Sequence, residues 1–161
     1  MNRAYALPRS VAALLLAAAI GLVWPLAAAA DRHGRLAVAS GVAVGGYDPV
    51  AYFRDGVARP GDPGIALRWR GVRWHFATPA HRAAFEANPK AFAPAFGGHC
   101  AVSLADGQPR HGDPRHWAIV DGRLMLTAEA TGLARLLASP EAIVQGARLV
   151  WTAPQTVAGG N

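Results

Sequence analysis

The sequence predicts an α+β domain: a small antiparallel sheet built from two hairpins, packed with several helices. Two stretches predict the hairpins. In "IALRWRGVRWHF" large apolar residues alternate about Arg70-Gly71, and "WAIVDGRLML" carries the favoured turn pair Asp121-Gly122. A third observation predicts the helices, because the alanine-rich segments after each hairpin place apolar residues three and four apart.

The elements follow in chain order. "GGYDPVAYF" offers Asp48 as a helix cap and Pro49 as a first helical residue, starting a short helix that packs through Val50, Tyr52 and Phe53. A two-residue Arg70-Gly71 loop pairs Trp69 with Val72, Leu67 with Trp74 and Ile65 with Phe76. All six then share one face, and Arg68, Arg73 and His75 share the other.

Thr78 caps the next helix with Pro79 at its first position, and Asn88-Pro89 ends it. "PKAFAPAF" makes a short turn before Gly97-Gly98. The all-apolar Leu124-Met125-Leu126 in the second hairpin predicts cover on both faces of that strand. Ser139-Pro140 then divides two closing helices. No internal repeat is evident in the sequence.

The ends read as processing and linker segments. Met1 to Ser10 carries Arg3 and Arg9 and no acid, an apolar run follows, and Pro25 precedes small residues ending at Ala30. This pattern predicts a secretory signal peptide over residues 1–30, and so an exported, periplasmic protein. Left uncleaved, the segment is the chain's only expected membrane attachment. Residues 31–41 are then a leader, 42–152 the domain and 153–161 a flexible tail.

Loss of Arg3 and Arg9 takes the formal charge from +6 to +4. There is no dense basic run of the kind that tracks phosphates, so no nucleic-acid partner is expected. A single cysteine, Cys100, makes no internal disulfide, and a monomer is expected.

"GYDPVAYF", "VRWHFATPAHRAAFEANPKAFAPAFGGHCA" and "HWAIVDGRLML" together resemble the YHS domain family, in the branch of short exported bacterial proteins, over about residues 42 to 151. The resemblance implies heavy-metal binding, as in parts of copper-transporting ATPases and metal regulators, and it implies no enzyme. In metal-binding relatives one cysteine follows the DPV motif and two more sit four apart where the second strand meets the helix. This chain has Ala51, Ala77 and His81 at those places, so only His81 retains a ligand atom.

The replacement metal set expected from the residues is Cys100 and His99, with His81 joining them, for Cu(I) or Zn(II). Cys100 also reads as a small buried side chain or as a reactive thiol. Neighbours on a strand point to opposite faces, so His99 and Cys100 chelate one ion only if the backbone turns at Gly97-Gly98. His111 and His116 lie in a polar loop.

Arg68, Arg73 and His75 form an expected anion or ligand face, suited to a carboxylate or phosphate. A small-ligand or interaction module is therefore the alternative to a metal site, with an apolar groove near Trp69, Trp74 and Phe96. Neither HExxH nor a glycine-rich phosphate loop follows a strand, and no Cys-His-Asp spacing singles out a nucleophile, so no enzyme is expected.

Overall fold

A computed structural model describes residues 38–39 and 41–153. The expected signal peptide lies outside them, as do most of the leader and nearly all of the tail. Among the described residues no helix is long and apolar enough to cross a membrane.

The chain opens with β1 (Val38–Ala39) and β2 (Val42–Ala43), a left-handed turn at Val44–Gly46, and α1 (Ala51–Arg54). The first hairpin is β3 (Asp62–Trp69) and β4 (Val72–Phe76), followed by α2 (Pro79–Ala87) and α3 (Pro89–Phe92). A second tight turn at Ala95–Gly98 leads into α4 (Ala101–Ala105). The second hairpin is β5 (Asp113–Val120) and β6 (Arg123–Thr127), and α5 (Ala130–Ala138) and α6 (Pro140–Thr152) complete the fold.

The class is α+β as expected, but the hairpins stay in separate sheets. The first sheet runs β1-β2-β4-β3 and is mixed, because β2 lies parallel to β4; the second is β5-β6 alone. Two residues of the expected leader thus form an edge strand.

Both two-residue turns form, with φ of 51° and 77° at Arg70-Gly71 and 49° and 69° at Asp121-Gly122. These positive angles match the twist of the flanking strands. Leu67 faces Trp74 and Trp69 faces Val72, as the alternation requires. Ile65 does not face Phe76. Asp62 pairs with Phe76 instead, and the register shifts before Ala66. Pro63 has no N–H for the ladder, and Asp62 Oδ1 accepts the amide of Gly64 at 2.7 Å, so the strand bulges there.

The helix expected at Asp48-Pro49 starts later, at Ala51. Asp48 Oδ1 accepts the amide of Val50 at 2.8 Å, closing an Asx turn ahead of the helix. Asp113 repeats this before Pro114, accepting the Arg115 amide at 2.8 Å. Thr78 caps α2 as expected, accepting the His81 amide at 3.1 Å.

Contrary to the expectation of no repeat, the fold is an internal duplication. β5, β6, α5 and α6 each begin 51 residues after β3, β4, α2 and α3. The bulges coincide too: Asp62↔Phe76 then Ala66↔His75 in one hairpin, Asp113↔Thr127 then Trp117↔Leu126 in the other.

The correspondence continues upstream. Val44, Gly45 and Gly46 have φ of 52°, 57° and 82°, and Phe96, Gly97 and Gly98 have 52°, 61° and 87°. Tyr47 bridges Pro60 as His99 bridges His111. The Gly61 amide donates to Gly46 O at 2.9 Å, and that of Gly112 to Gly98 O at 3.0 Å. The residues the halves share are mostly alanines, Asp-Pro pairs and turn glycines. Such residues fix backbone geometry and leave little trace in an apolar pattern.

Two cores hold the halves. Trp74, Phe76, Phe85, Tyr52, Leu124 and Leu126 share the first; Cys100, Met125, Leu136 and Val144 share the second. β6 therefore lies between them, Leu124 and Leu126 to one side and Met125 to the other. That is the two-sided cover predicted for this strand.

Candidate functional site

Ala77 and His81, two of the three positions compared with the YHS cysteines, meet at Asp48. Its carboxylate is fully buried and accepts three hydrogen bonds: from the Val50 amide, from the Ala77 amide at 2.7 Å, and from His81 Nδ1 at 2.7 Å. Ala51 and Ala77 carry only methyl side chains. His81 Nε2 faces Asp55 Oδ1 at 3.8 Å. His81 thus pins the β4–α2 junction to the 47–54 segment, because a buried carboxylate needs hydrogen-bonded compensation.

Cys100 occupies the corresponding place in the second half. It is 3 % exposed and precedes α4, where Sγ accepts the Ser103 amide at 3.4 Å. Ser103 Oγ in turn donates to Cys100 O at 3.1 Å. Of the three readings of this residue, its surroundings are those of a packed, capping side chain. Beside it lies a cavity of about 100 Å³ reaching Asp106, Ala128, Gly132 and Arg135.

The expected set of Cys100, His99 and His81 is not assembled. Among the described residues no three His, Cys, Asp or Glu side chains are grouped to hold a metal ion. Cys100 lies in the second core while His81 is bound to Asp48, and the backbone after Gly97-Gly98 is extended at both His99 and Cys100, so the turn that joint chelation requires is not made there.

His99 meets a different partner. The Cys100 amide donates to Arg110 O at 2.9 Å and the Gly112 amide to Gly98 O at 3.0 Å. These bonds enclose His99 and His111 as a non-hydrogen-bonded antiparallel pair, the kind in which side chains approach most closely. Their ring centroids are 5.8 Å apart with planes inclined by 35°. His99 Nδ1 is 2.9 Å from Phe96 O, an acceptor only, so Nδ1 carries a proton and the carbonyl fixes the orientation of the ring. The Trp151 ring packs on His99, 5.6 Å between centroids.

His111 also lines an open cleft of about 470 Å³ with Tyr47, Arg110, Asp113 and Arg115. Arg115 bonds both oxygens of Asp113, at 3.0 and 2.6 Å, and holds that carboxyl down to about 2. His116 Nδ1 is buried without a hydrogen bond, 4.0 Å from Asp113 Oδ2.

The arginine face forms as the alternation predicts. Arg68 and Arg73 are direct cross-strand partners, Ala66 faces His75, and a cleft of about 320 Å³ lies against Ala66, Leu67, Arg68 and Arg73. Partial burial, and then Arg73, lower the pKa of His75. The three aromatics do not share one groove among the described residues: Trp74 is fully buried against Phe85 and the half-buried Trp69, whereas the half-buried Phe96 packs on the second core near Trp151.

The His99–His111 pair escaped sequence reasoning because the two residues are brought together by a single bridge between loop segments. The duplication is the signal that finds it, since Tyr47 and Pro60 are bridged in the same way. No protein family, curated protein or solved structure matches the chain, so the YHS likeness rests on its motif segments.

Proposed function

We propose that this is an exported, non-enzymatic domain that binds a soft metal ion between His99 and His111. The observation that carries the reading is the close cross-strand pair itself, with one imidazole oriented by the Phe96 carbonyl. A hydrogen bond from the second ring nitrogen to a carbonyl is a recurrent way of fixing a ligating histidine. Two imidazole ligands suit Cu(I), which accepts two-coordinate sites. A structural Zn(II) site takes four protein ligands.

A competitive Cu(I) titration tests it. The wild type takes up one ion per chain, His111→Ala loses at least about tenfold in affinity, a step of about 1.4 kcal/mol, and Cys100→Ala keeps it. Affinity that disappears with Cys100 and survives without His111 contradicts the reading.

A second reading is favoured by the Arg68–Arg73 pair. Like charges directly opposite on a sheet repel, and an oxyanion held by both guanidiniums relieves that repulsion. Phosphate then raises the melting temperature of the wild type more than that of Arg68→Gln. An equal rise in both proteins rejects this second site.

A further inference from the structure

The duplication gives the second half a template for its own cavity. In the first half the third residue of α2, His81, fills the space between Asp48 and Asp55. The third residue of α5 is Gly132, and the cavity of about 100 Å³ lies against it. The groups around that cavity correspond to those around His81. Cys100 replaces Asp48, and their amides donate to Arg110 O and Arg59 O, both at 2.9 Å. Asp106 replaces Asp55, each following the last residue of its helix.

We propose that this cavity is a binding site for a small nitrogen heterocycle of the imidazole class, seated as the His81 ring is seated in the first half. The chemistry is complementary without any covalent step. The Cys100 thiol donates to the unprotonated ring nitrogen, and the ring N–H donates to the Asp106 carboxylate. Arg135, which holds Asp106 at 2.8 and 3.1 Å, keeps that carboxylate ionised and in place. Size agrees: an enclosed cavity of about 150 Å³ takes a benzene ring, and imidazole is smaller.

The same ring arrives either as a free small molecule or as the histidine side chain of a peptide. Both sources are distinguishable. Amide chemical shifts of the purified protein are followed during titration with imidazole, and separately with a Gly-His-Gly peptide, in the presence of a chelator so that no metal at His99–His111 contributes.

The expected result is a saturable shift centred on Cys100, Ser103 and Gly132, with a dissociation constant on the order of 1 mM for so small a ligand. A response to imidazole alone assigns a free heterocycle. A response to the peptide as well assigns a histidine-bearing partner. Gly132→His fills the cavity with the chain's own ring and abolishes the response, and Cys100→Ala weakens it several-fold. His81→Gly makes the counterpart cavity beside Asp48, and added imidazole raises its melting temperature. The proposal is overturned if the wild type gives no saturable shift, or if the shift centres elsewhere. Should Gly132→His fail to fold, retention of full affinity in Cys100→Ala overturns it equally.

Discussion

Cys100 stands in the second half of the molecule where Asp48 stands in the first. Each donates its amide to an arginine carbonyl at 2.9 Å, and each side chain turns back on a nearby amide at the start of a short helix. The resemblance ends with their charge. Asp48 needs a buried partner and has His81. Cys100 does not, and the position that would supply one is Gly132.

His81→Ala therefore removes the one side chain that, among the described residues, bonds a fully buried carboxylate. The expected cost is about 3–5 kcal/mol of stability, because Asp48 stays behind without its partner. Denaturant unfolding measures it. Asp48→Asn combined with His81→Ala should recover part of the loss, and a cost for His81→Ala below about 1 kcal/mol would show that Asp48 is compensated by its two amides alone.

Gly61 and Gly112 test the duplication directly. A Cβ on Gly61 would stand 2.5 Å from the His75 carbonyl carbon, and one on Gly112 would stand 2.5 Å from Leu126 Cβ. His75 and Leu126 are themselves counterparts. Alanine at either position should destabilise by about 1–3 kcal/mol or more, because backbone stands against the new methyl in both cases, the Gly98 carbonyl oxygen lying 2.9 Å from a Cβ on Gly112. Thermal unfolding of the two variants decides it.

The thiol of Cys100 should label slowly in the native protein. With 3 % exposure and Sγ accepting the Ser103 amide, it reacts only as the structure opens. Alkylation in native buffer at the rate of unfolded protein would mean that α4 opens freely.

The Asp113–Arg115 pair sets a pH window. Arg115 holds the Asp113 carboxyl down to about 2, below its ordinary value of about 3.9, so the folded state binds its proton later than the unfolded state does. The contribution is present above about pH 4 and is lost as the pH falls through about 2. Arg115 is largely exposed, so solvent screening keeps the contribution of the pair small. The stability gap between wild type and Arg115→Gln should close across that window. A gap unchanged down to pH 2 would assign the effect of Arg115 to something other than Asp113.

Much of this was legible residue by residue. Asp121-Gly122 announces its turn because few residues accept positive φ twice in succession, and Arg70-Gly71 is marked by the apolar alternation on either side of it. Leu124-Met125-Leu126 announces a strand between two cores. The bulge at Asp62-Pro63 is not legible in the sequence, because a proline after an acid signals a turn without saying that a strand continues through it. The parallel pairing of Val42 with Arg73 was hidden for a related reason: two residues of strand carry no periodicity. The imidazole pair needed the Arg110 and Gly98 carbonyls to align His99 with His111, and neither carbonyl appears in a pattern of side chains.

The most direct test of the metal reading is X-ray absorption at the copper edge of the Cu(I)-loaded protein. Coordination by nitrogen alone, lost in His111→Ala, is the predicted result. A sulfur ligand in the first coordination shell would place the ion on Cys100 and contradict it.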